Sequence, residues 1–148
     1  MNWTIEVVCV PVSDVDRAKA FYADQLGFTV DFDSVHDAEV RQVQLTPPGS
    51  GCSIAIGTGI YDWPGIPVPA RDMAPGALQG LRLVVRDIRA AHAELVERGV
   101  AVTDIHVYGK DLRLRPYRDG DELHNVGFFL FDDPDGNGWS VQQISTRE

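Results

Sequence analysis

The chain has 148 residues, of which 44% are hydrophobic and 24% are charged, and this composition is typical of one globular domain with an apolar core. The net charge of −9 at pH 7 disfavours nucleic acid and anionic membrane surfaces as partners, because both repel an acidic protein. The N-terminal stretch MNWTIEVVCVPV has no basic region and no apolar run of spanning length. We therefore expect neither a signal peptide nor a transmembrane helix, and a cytoplasmic location.

The first part of the chain predicts a strand, a helix and three further strands. In VVCVPVSDVDRAKAFYADQLGF (7–28), an apolar strand runs into Asp14, which can cap a helix that ends at a glycine. FTVDF (28–32) is the second strand. VQLTPPGSGCSIAI (43–56) is a hairpin, because Pro and Gly supply the dihedral angles of its turn. Residues 1–57 are thus predicted to form a β-α-β-β-β module.

Residues 58–76 are predicted to be a linker. They include Pro64, Pro67, Pro69 and Pro75. Proline has no N–H to donate to a neighbouring strand, so a segment this rich in proline does not join a sheet.

The rest of the chain, residues 77–148, repeats the first pattern. Adding 73 to a residue number carries Asp14 onto Asp87 and lays the first strand and helix over GLRLVVRDIRAAHAELVERGV (80–100). Adding 87 lays the hairpin over LFDDPDGNGWSVQQ (130–143). An internal repeat of this kind indicates two copies of one structural unit.

The second module also contains one further strand and one long connection. The strand is VAVTDIHV (100–107), and the connection is YGKDLRLRPYRDGDELHN (108–125). Loops longer than about a dozen residues within a compact domain are often functional. The two modules, 1–57 and 77–148, together predict one α+β domain.

The repeat, the segment SDVDRAKAFYADQLGF and the segment DPDGNGWSV together resemble the vicinal oxygen chelate superfamily. This superfamily includes glyoxalase I, extradiol dioxygenases, fosfomycin-resistance transferases and bleomycin-binding resistance proteins. The resemblance covers nearly the whole chain. It implies the glyoxalase/bleomycin-resistance fold, in which paired modules form a U-shaped cavity, and it implies a homodimer. Pairing within one chain and exchange between two chains both remain open.

The resemblance also identifies the positions that hold a metal in relatives. Those enzymes place one ligand seven residues before the capping Asp of each module and another on the last strand. The positions that correspond here are Val7, Ser53, Gly80 and Ser140. None carries an imidazole, carboxylate or thiolate, the groups that bind divalent metals well. We therefore expect no metal and no cofactor; His106, Glu122 and His124 are the alternative ligand set.

Strand alternation then predicts which side chains face a cavity, because neighbours of the inherited ligand positions alternate between the two faces of a sheet. The predicted ligand-binding residues are Val7, Cys9, Gln42, Gln44, Ser53, Arg82, Phe129, Phe131, Ser140 and Gln142, with Trp63 from the linker. Arg82 needs a partner if it faces an apolar cavity. An anionic ligand is one candidate, and an internal ion pair with Asp121 or Glu122 is the other.

These observations favour a metal-independent protein that binds an aromatic or anionic small molecule, similar to the bleomycin-resistance branch. The alternative is a metal-free isomerase, cyclase or lyase acting on an aromatic or polyketide-like substrate. Its candidate titrating groups are Tyr108, Tyr117, His106, Glu122 and His124. A metal-dependent lyase or dioxygenase is disfavoured, because the ligand positions are empty of ligating groups.

Overall fold

The computed structural model describes residues 1–62 and 64–147, and these form two compact units. Unit 1 comprises Met1–Leu78 together with Asp133–Asn137, and unit 2 comprises Gln79–Asp132 and the residues from Gly138 onward. The predicted division into modules 1–57 and 77–148 with a linker at 58–76, all within one domain, stays a prediction.

Unit 1 contains the predicted β-α-β-β-β succession. Its elements are β1 (Val7–Cys9), α1 (Val15–Ala20), which continues as a π-helical segment (Phe21–Gln25), β2 (Thr29–Val35), β3 (Arg41–Thr46) and β4 (Ser53–Thr58). A short 3-10 helix (Pro69–Asp72) follows in the linker. The strand order is β1-β4-β3-β2, with β1 parallel to β4 and the other pairs antiparallel.

The helix in unit 1 begins and ends where local chemistry requires. The side chain of Asp14 accepts a hydrogen bond from the backbone N–H of Arg17 at 3.0 Å, which satisfies one of the free donors of the first turn. Gly27 follows the helix with φ of 75°, a conformation that costs glycine little. Both features agree with the sequence prediction.

One face of this sheet forms the core of unit 1. Val43, Leu45, Ile54 and Ile56 alternate along β3 and β4 and are all at most 4% exposed. Ala18 of α1 is likewise fully buried, and α1 lies against β4. Burial of these aliphatic side chains is the main stabilising contribution to unit 1.

Unit 2 repeats the pattern and adds a strand. Its elements are β5 (Leu81–Val85), α2 (Ile88–Glu97), β6 (His106–Tyr108), β7 (Leu114–Pro116), β8 (Gly127–Asp132) and β9 (Gly138–Gln143), in sheet order β5-β9-β8-β6-β7. Asp87 caps α2 by accepting the N–H of Ala90 at 3.0 Å. The strand β7 corrects the prediction that 108–125 is only a connection. It pairs with β6 through Val107 and Arg115, so the segment folds back on itself as a short hairpin.

The core of unit 2 corrects a second prediction. Phe129 and Phe131 pair with Val141 and Trp139 and are 1% and 3% exposed, so they lie on the buried face. The rings of Phe131 and Trp139 stack at 6.0 Å. The predicted open-face position of the two phenylalanines is therefore wrong, and Phe128 and Leu130 occupy that face instead.

The cause of this error is the length of the turn. In unit 1, Leu45 pairs with Ile54, which leaves eight residues (46–53) between the paired positions. In unit 2, Asp132 pairs with Gly138, which leaves five (133–137). Because one number is even and the other odd, the pairing of β8 with β9 is offset by one residue from the pairing that the repeat predicts. An offset of one residue moves every side chain of a strand to the other face of the sheet.

No helix among the described residues is long and apolar enough to span a bilayer.

Candidate functional site

The polar side chains that the sequence predicted lie on the side of the unit 1 sheet opposite Val43, Leu45 and Ile54, and Ser53 among them is only 6% exposed. Val7 pairs with Ser53, and Cys9 and Gln44 both pair with Ala55, so these residues share one face. We call it the Ser53 face, formed by Val7, Cys9, Phe32, Gln42, Gln44 and Ser53. Phe32 is 40% exposed and was missed, because a bulge between Val30 and Phe32 shifts the alternation of β2.

A chain of hydroxyl groups determines the direction in which the Ser53 hydroxyl donates its hydrogen bond. The Oγ atoms of Ser53 and Thr46 lie 2.6 Å apart, and Thr46 donates to a carboxylate oxygen of Asp31 at 2.5 Å. A hydroxyl has one proton, and Thr46 gives its proton to Asp31. Ser53 must therefore donate to Thr46, which leaves the lone pairs of Ser53 as acceptors.

The exposed side of the unit 2 sheet presents a hydrogen-bond donor, Arg82, whereas the Ser53 face presents an acceptor. We call it the Arg82 face, formed by Arg82, Val84, His106, Tyr108, Phe128, Leu130, Ser140 and Gln142. Arg82 donates from Nε to the Oγ of Ser140 at 3.2 Å, and its guanidinium carbon lies 5.0 Å from the centre of the Phe128 ring. Ser140 in turn donates to the carbonyl oxygen of Leu81 at 3.4 Å. The hydroxyl and the aromatic ring together orient the guanidinium.

The alternative internal partners of Arg82 are engaged elsewhere. Asp121 accepts two hydrogen bonds from Arg115, at 2.6 Å and 2.9 Å, and this pairing lowers the pKa of Asp121 to about 2. Glu122 accepts the backbone N–H groups of Leu123 and His124. Within the described parts of the chain, Arg82 has no carboxylate within 4.0 Å. The predicted ion pair of Arg82 with Asp121 or Glu122 is therefore wrong, because Arg115 on the unforeseen strand β7 takes Asp121.

Two of the five candidate titrating groups lie on the Arg82 face. His106 pairs with Phe128, and the Tyr108 ring contacts the Phe128 ring edge-on at 5.3 Å. The Nδ1 atom of His106 lies 2.8 Å from the carbonyl oxygen of Asp104. Since a carbonyl oxygen only accepts, Nδ1 carries the proton and a neutral His106 presents Nε2 as a base.

The other three candidates make structural contacts. Tyr117 lies under the guanidinium of Arg89, at 5.9 Å from the ring centre. Glu122 holds the backbone of its own loop, and His124 accepts the N–H of Ser145 at Nδ1. Gln142 also has a structural contact, because its amide donates to the carbonyl oxygen of Asn125 at 2.8 Å.

The family metal does not fit the residues present. The four inherited positions carry an aliphatic side chain, a glycine and two serine hydroxyls, namely Val7, Gly80, Ser53 and Ser140. Across residues 1–62 and 64–147, no group of three or more His, Cys, Asp or Glu side chains is close enough to hold a metal ion. The alternative set of His106, Glu122 and His124 is therefore not assembled. Trp63, predicted to bind ligand, lies outside the described residues.

Comparisons with known proteins agree with this fold. The family model of the Glyoxalase/Bleomycin resistance protein/Dioxygenase superfamily matches residues 4–141. TnmS3, an antibiotic binding protein from Streptomyces sp. CB03234, is 30% identical with a TM-score of 0.68, and the alignment covers 97% of this chain and 98% of that one. A glyoxalase/bleomycin resistance protein from the same organism is 31% identical with a TM-score of 0.62, over 95% of this chain and 100% of that one.

A superfamily member from Sphaerobacter thermophilus DSM 20745 is 27% identical with a TM-score of 0.68, over 96% of this chain and 98% of that one. No match was found among curated proteins. The family match extends over most of the chain, and the two mixed sheets have the expected α+β arrangement. The chain therefore belongs to the glyoxalase/bleomycin resistance protein/dioxygenase superfamily.

Proposed function

We propose that this protein is a metal-independent binder of a planar aromatic anion, and that the Arg82 face holds the ligand. The observation that carries the proposal is the state of Arg82: it is oriented by Ser140 and Phe128 and has no carboxylate partner among the described residues. An oriented guanidinium is suited to a carboxylate or phenolate, because its parallel N–H groups match two oxygens.

The surroundings of Arg82 suit the body of such a ligand. Val84, Tyr108 and Leu130 share its face and are 40%, 41% and 49% exposed. Pockets for organic molecules combine apolar walls with a few polar anchors. Contact with a flat ring would remove these side chains from water while the anion is held by Arg82.

The relatives support binding rather than metal chemistry. TnmS3, which resembles this chain over nearly its whole length, is described as an antibiotic binding protein. The inherited metal positions of this chain lack ligating groups, so a function that needs only a shaped surface and an anion receptor is favoured.

Calorimetric titration with anthraquinone-2-carboxylate tests the proposal. We expect saturable binding that EDTA does not change. Arg82→Gln should weaken binding at least tenfold, or about 1.4 kcal/mol, because the anion loses its receptor. The matched control is Arg86→Gln, since Arg86 is an exposed arginine just after β5. Anthraquinone-2-carboxamide should bind wild type about as weakly as the carboxylate binds Arg82→Gln.

Two results would contradict the proposal. One is equal weakening by Arg82→Gln and Arg86→Gln, which would mean that only overall charge attracts the anion. The other is binding that disappears in EDTA and returns with a divalent metal.

A second candidate function rests on His106. Its Nε2 is available as a base on the face that would hold the ligand, with the Tyr108 hydroxyl on the same strand. This arrangement supports a metal-free isomerase or lyase that removes a proton from a carbon next to a carbonyl. Deuterium uptake by 2-tetralone in D₂O, followed by NMR, should be faster with wild type than with His106→Gln. Equal rates would leave binding as the function.

We also propose that the protein is a homodimer in the cytoplasm. Trp3, Ile5 and Val7 alternate along the N-terminal segment and are 87%, 70% and 39% exposed. Apolar side chains in such a row favour contact with another chain. Sedimentation velocity should give twice the 16.3 kDa chain mass, and Trp3→Ser with Ile5→Ser should shift the protein toward monomer.

A further inference from the structure

A cavity of about 220 Å³ lies within unit 1, between the end of β1 and the linker. Residues 9–12 form one side of it. Ile60, Tyr61, Met73 and Pro75 of the linker form the other. We call it the linker cavity; all of the described residues that line it belong to unit 1.

The linker lies against residues 9–12 and is hydrogen-bonded to them at one side of the cavity. Tyr61 and Cys9 both line the cavity, and burial raises the pKa of the Tyr61 phenol. The N–H of Gly76 donates to the carbonyl oxygen of Pro11 at 3.3 Å. That carbonyl also accepts the amide of Asn137 at 2.8 Å. The linker thus forms a strap over residues 9–12, held by the hydrogen bond between Gly76 and Pro11.

Two opposite charges line the cavity without pairing with each other. Asp62 and Arg71 both belong to the lining, yet no ion pair joins them. The carboxylate nearest to Arg71 is that of its neighbour Asp72, at 3.7 Å, and both side chains are largely exposed. Exposed pairs of this kind contribute little free energy, so Arg71 is free to bind another anion.

We infer that the linker cavity binds a free amino acid with an apolar side chain. Arg71 would bind the carboxylate, and Asp62 would bind the ammonium group. The thioether and aliphatic side chains of the strap would contact the apolar side chain of the amino acid. The volume of about 220 Å³ is well above the roughly 10–15 Å³ that a cavity needs to hold one water, so the space admits a larger molecule. Ligands of drug size need about 300–1,000 Å³, so the cavity suits a smaller molecule than the proposed ligand of the Arg82 face.

Alkylation of Cys9 provides the test. Cys9 lines the cavity, whereas Cys52 lies outside it, is also a free thiol and is partly exposed to a similar degree. The full-length protein is treated with iodoacetamide, and both cysteine peptides are followed by mass spectrometry. L-leucine should slow alkylation of Cys9 in a saturable way and leave Cys52 unchanged. Leucinamide lacks the carboxylate, N-acetylleucine lacks the ammonium, and neither should protect Cys9 at the same concentration.

Substitutions then identify the two charged anchors. Arg71→Gln and Asp62→Asn should each raise the leucine concentration for half-protection at least tenfold. The matched control is Asp119→Asn, because Asp119 is exposed and does not line the cavity, and it should leave protection unchanged. Circular dichroism establishes that each variant is folded.

Absence of protection by L-leucine would overturn the inference, and so would equal protection by all three compounds. The Arg82→Gln variant separates this inference from the proposed function. Leucine should protect Cys9 in that variant as it does in wild type, whatever the result with anthraquinone-2-carboxylate.

Discussion

The two turns that the repeat relates have different roles in the fold. Adding 87 carries Thr46 onto Asp133 and Ser50 onto Asn137. Ser50 and its neighbours in the first turn are exposed, whereas Asp133 and Asn137 are 5% and 0% exposed. The second turn, although it comes from the second repeat, belongs to unit 1. A repeated turn sequence thus does not determine how deeply the turn is buried.

Asp133 is the reason for this difference. Its carboxylate accepts the Tyr22 hydroxyl at 2.8 Å, the Asn137 amide at 2.8 Å, and the backbone N–H groups of Asp135 and Asn137, each at 2.9 Å. The hydroxyl of Thr46, at the equivalent position, is half-buried and bonds to Asp31 and Ser53. A buried carboxylate is tolerated because four donors stabilise its charge.

The largest expected effect comes from removing this carboxylate. Asp133→Ala leaves four donors without their acceptor, and buried unsatisfied groups cost about 1–3 kcal/mol each, so we expect a loss of about 4 kcal/mol in the free energy of unfolding. Thr46→Ala should cost less, about 1 kcal/mol, because it removes one hydroxyl at a half-buried position and leaves one hydrogen-bond partner, Ser53, to find another. Urea denaturation of both variants measures the difference. Similar losses would mean that the two turns contribute equally.

Acid should weaken the two units unequally. Arg41 and Lys19 lower the pKa of Asp33 in unit 1, and Arg115 lowers the pKa of Asp121 in unit 2 from 3.8 to about 2. A carboxyl group with a lowered folded pKa stabilises the protein above its unfolded pKa, and this contribution is lost as pH falls toward the folded value. For Asp121 the loss occurs between about pH 4 and pH 2.

We therefore expect the free energy of unfolding to fall from pH 5 to pH 2.5. Asp33→Asn should flatten this dependence more than Asp121→Asn, because two cations hold Asp33 and its pKa is lowered further. Urea titrations at several pH values provide the measurement. An unchanged slope in Asp33→Asn would show that the ion pairs of unit 1 do not contribute.

Ser53 and Ser140 occupy equivalent positions of the repeat, since 53 + 87 is 140. Substituting them should give the smallest of the expected effects. Ser140 orients Arg82, so Ser140→Ala should weaken anthraquinone-2-carboxylate binding only about two- to fivefold, because the charged guanidinium remains and Phe128 still contacts it. Ser53→Ala should leave that affinity unchanged, because Ser53 donates to Thr46 and takes no part in holding Arg82. Calorimetry measures the affinity of both variants. Equal weakening would contradict the assignment of the ligand to the Arg82 face.

Much of the candidate site was predictable from alternation within single strands. Val7, Cys9, Gln42 and Gln44 share one face of the unit 1 sheet, as alternation predicts, and their role in ligand binding stays a prediction. Phe129 and Phe131 were misplaced, because the register of β8 on β9 depends on the length of a turn that the repeat does not conserve. Arg82 was identified, but its lack of an internal partner depends on Arg115, which lies on a strand that no pattern indicated.

By itself, the sequence determined the two β-α-β-β-β patterns, the capping aspartates, the absence of metal-binding side chains at the inherited positions, and the resemblance to the superfamily. These are properties of short segments, where periodicity and capping act within a few residues. Only the tertiary structure decided the register of β8 on β9, the burial of Asp133 and the position of the strap over the linker cavity. Each of these depends on contacts between residues far apart in the chain, and their free energy is not encoded in any local pattern.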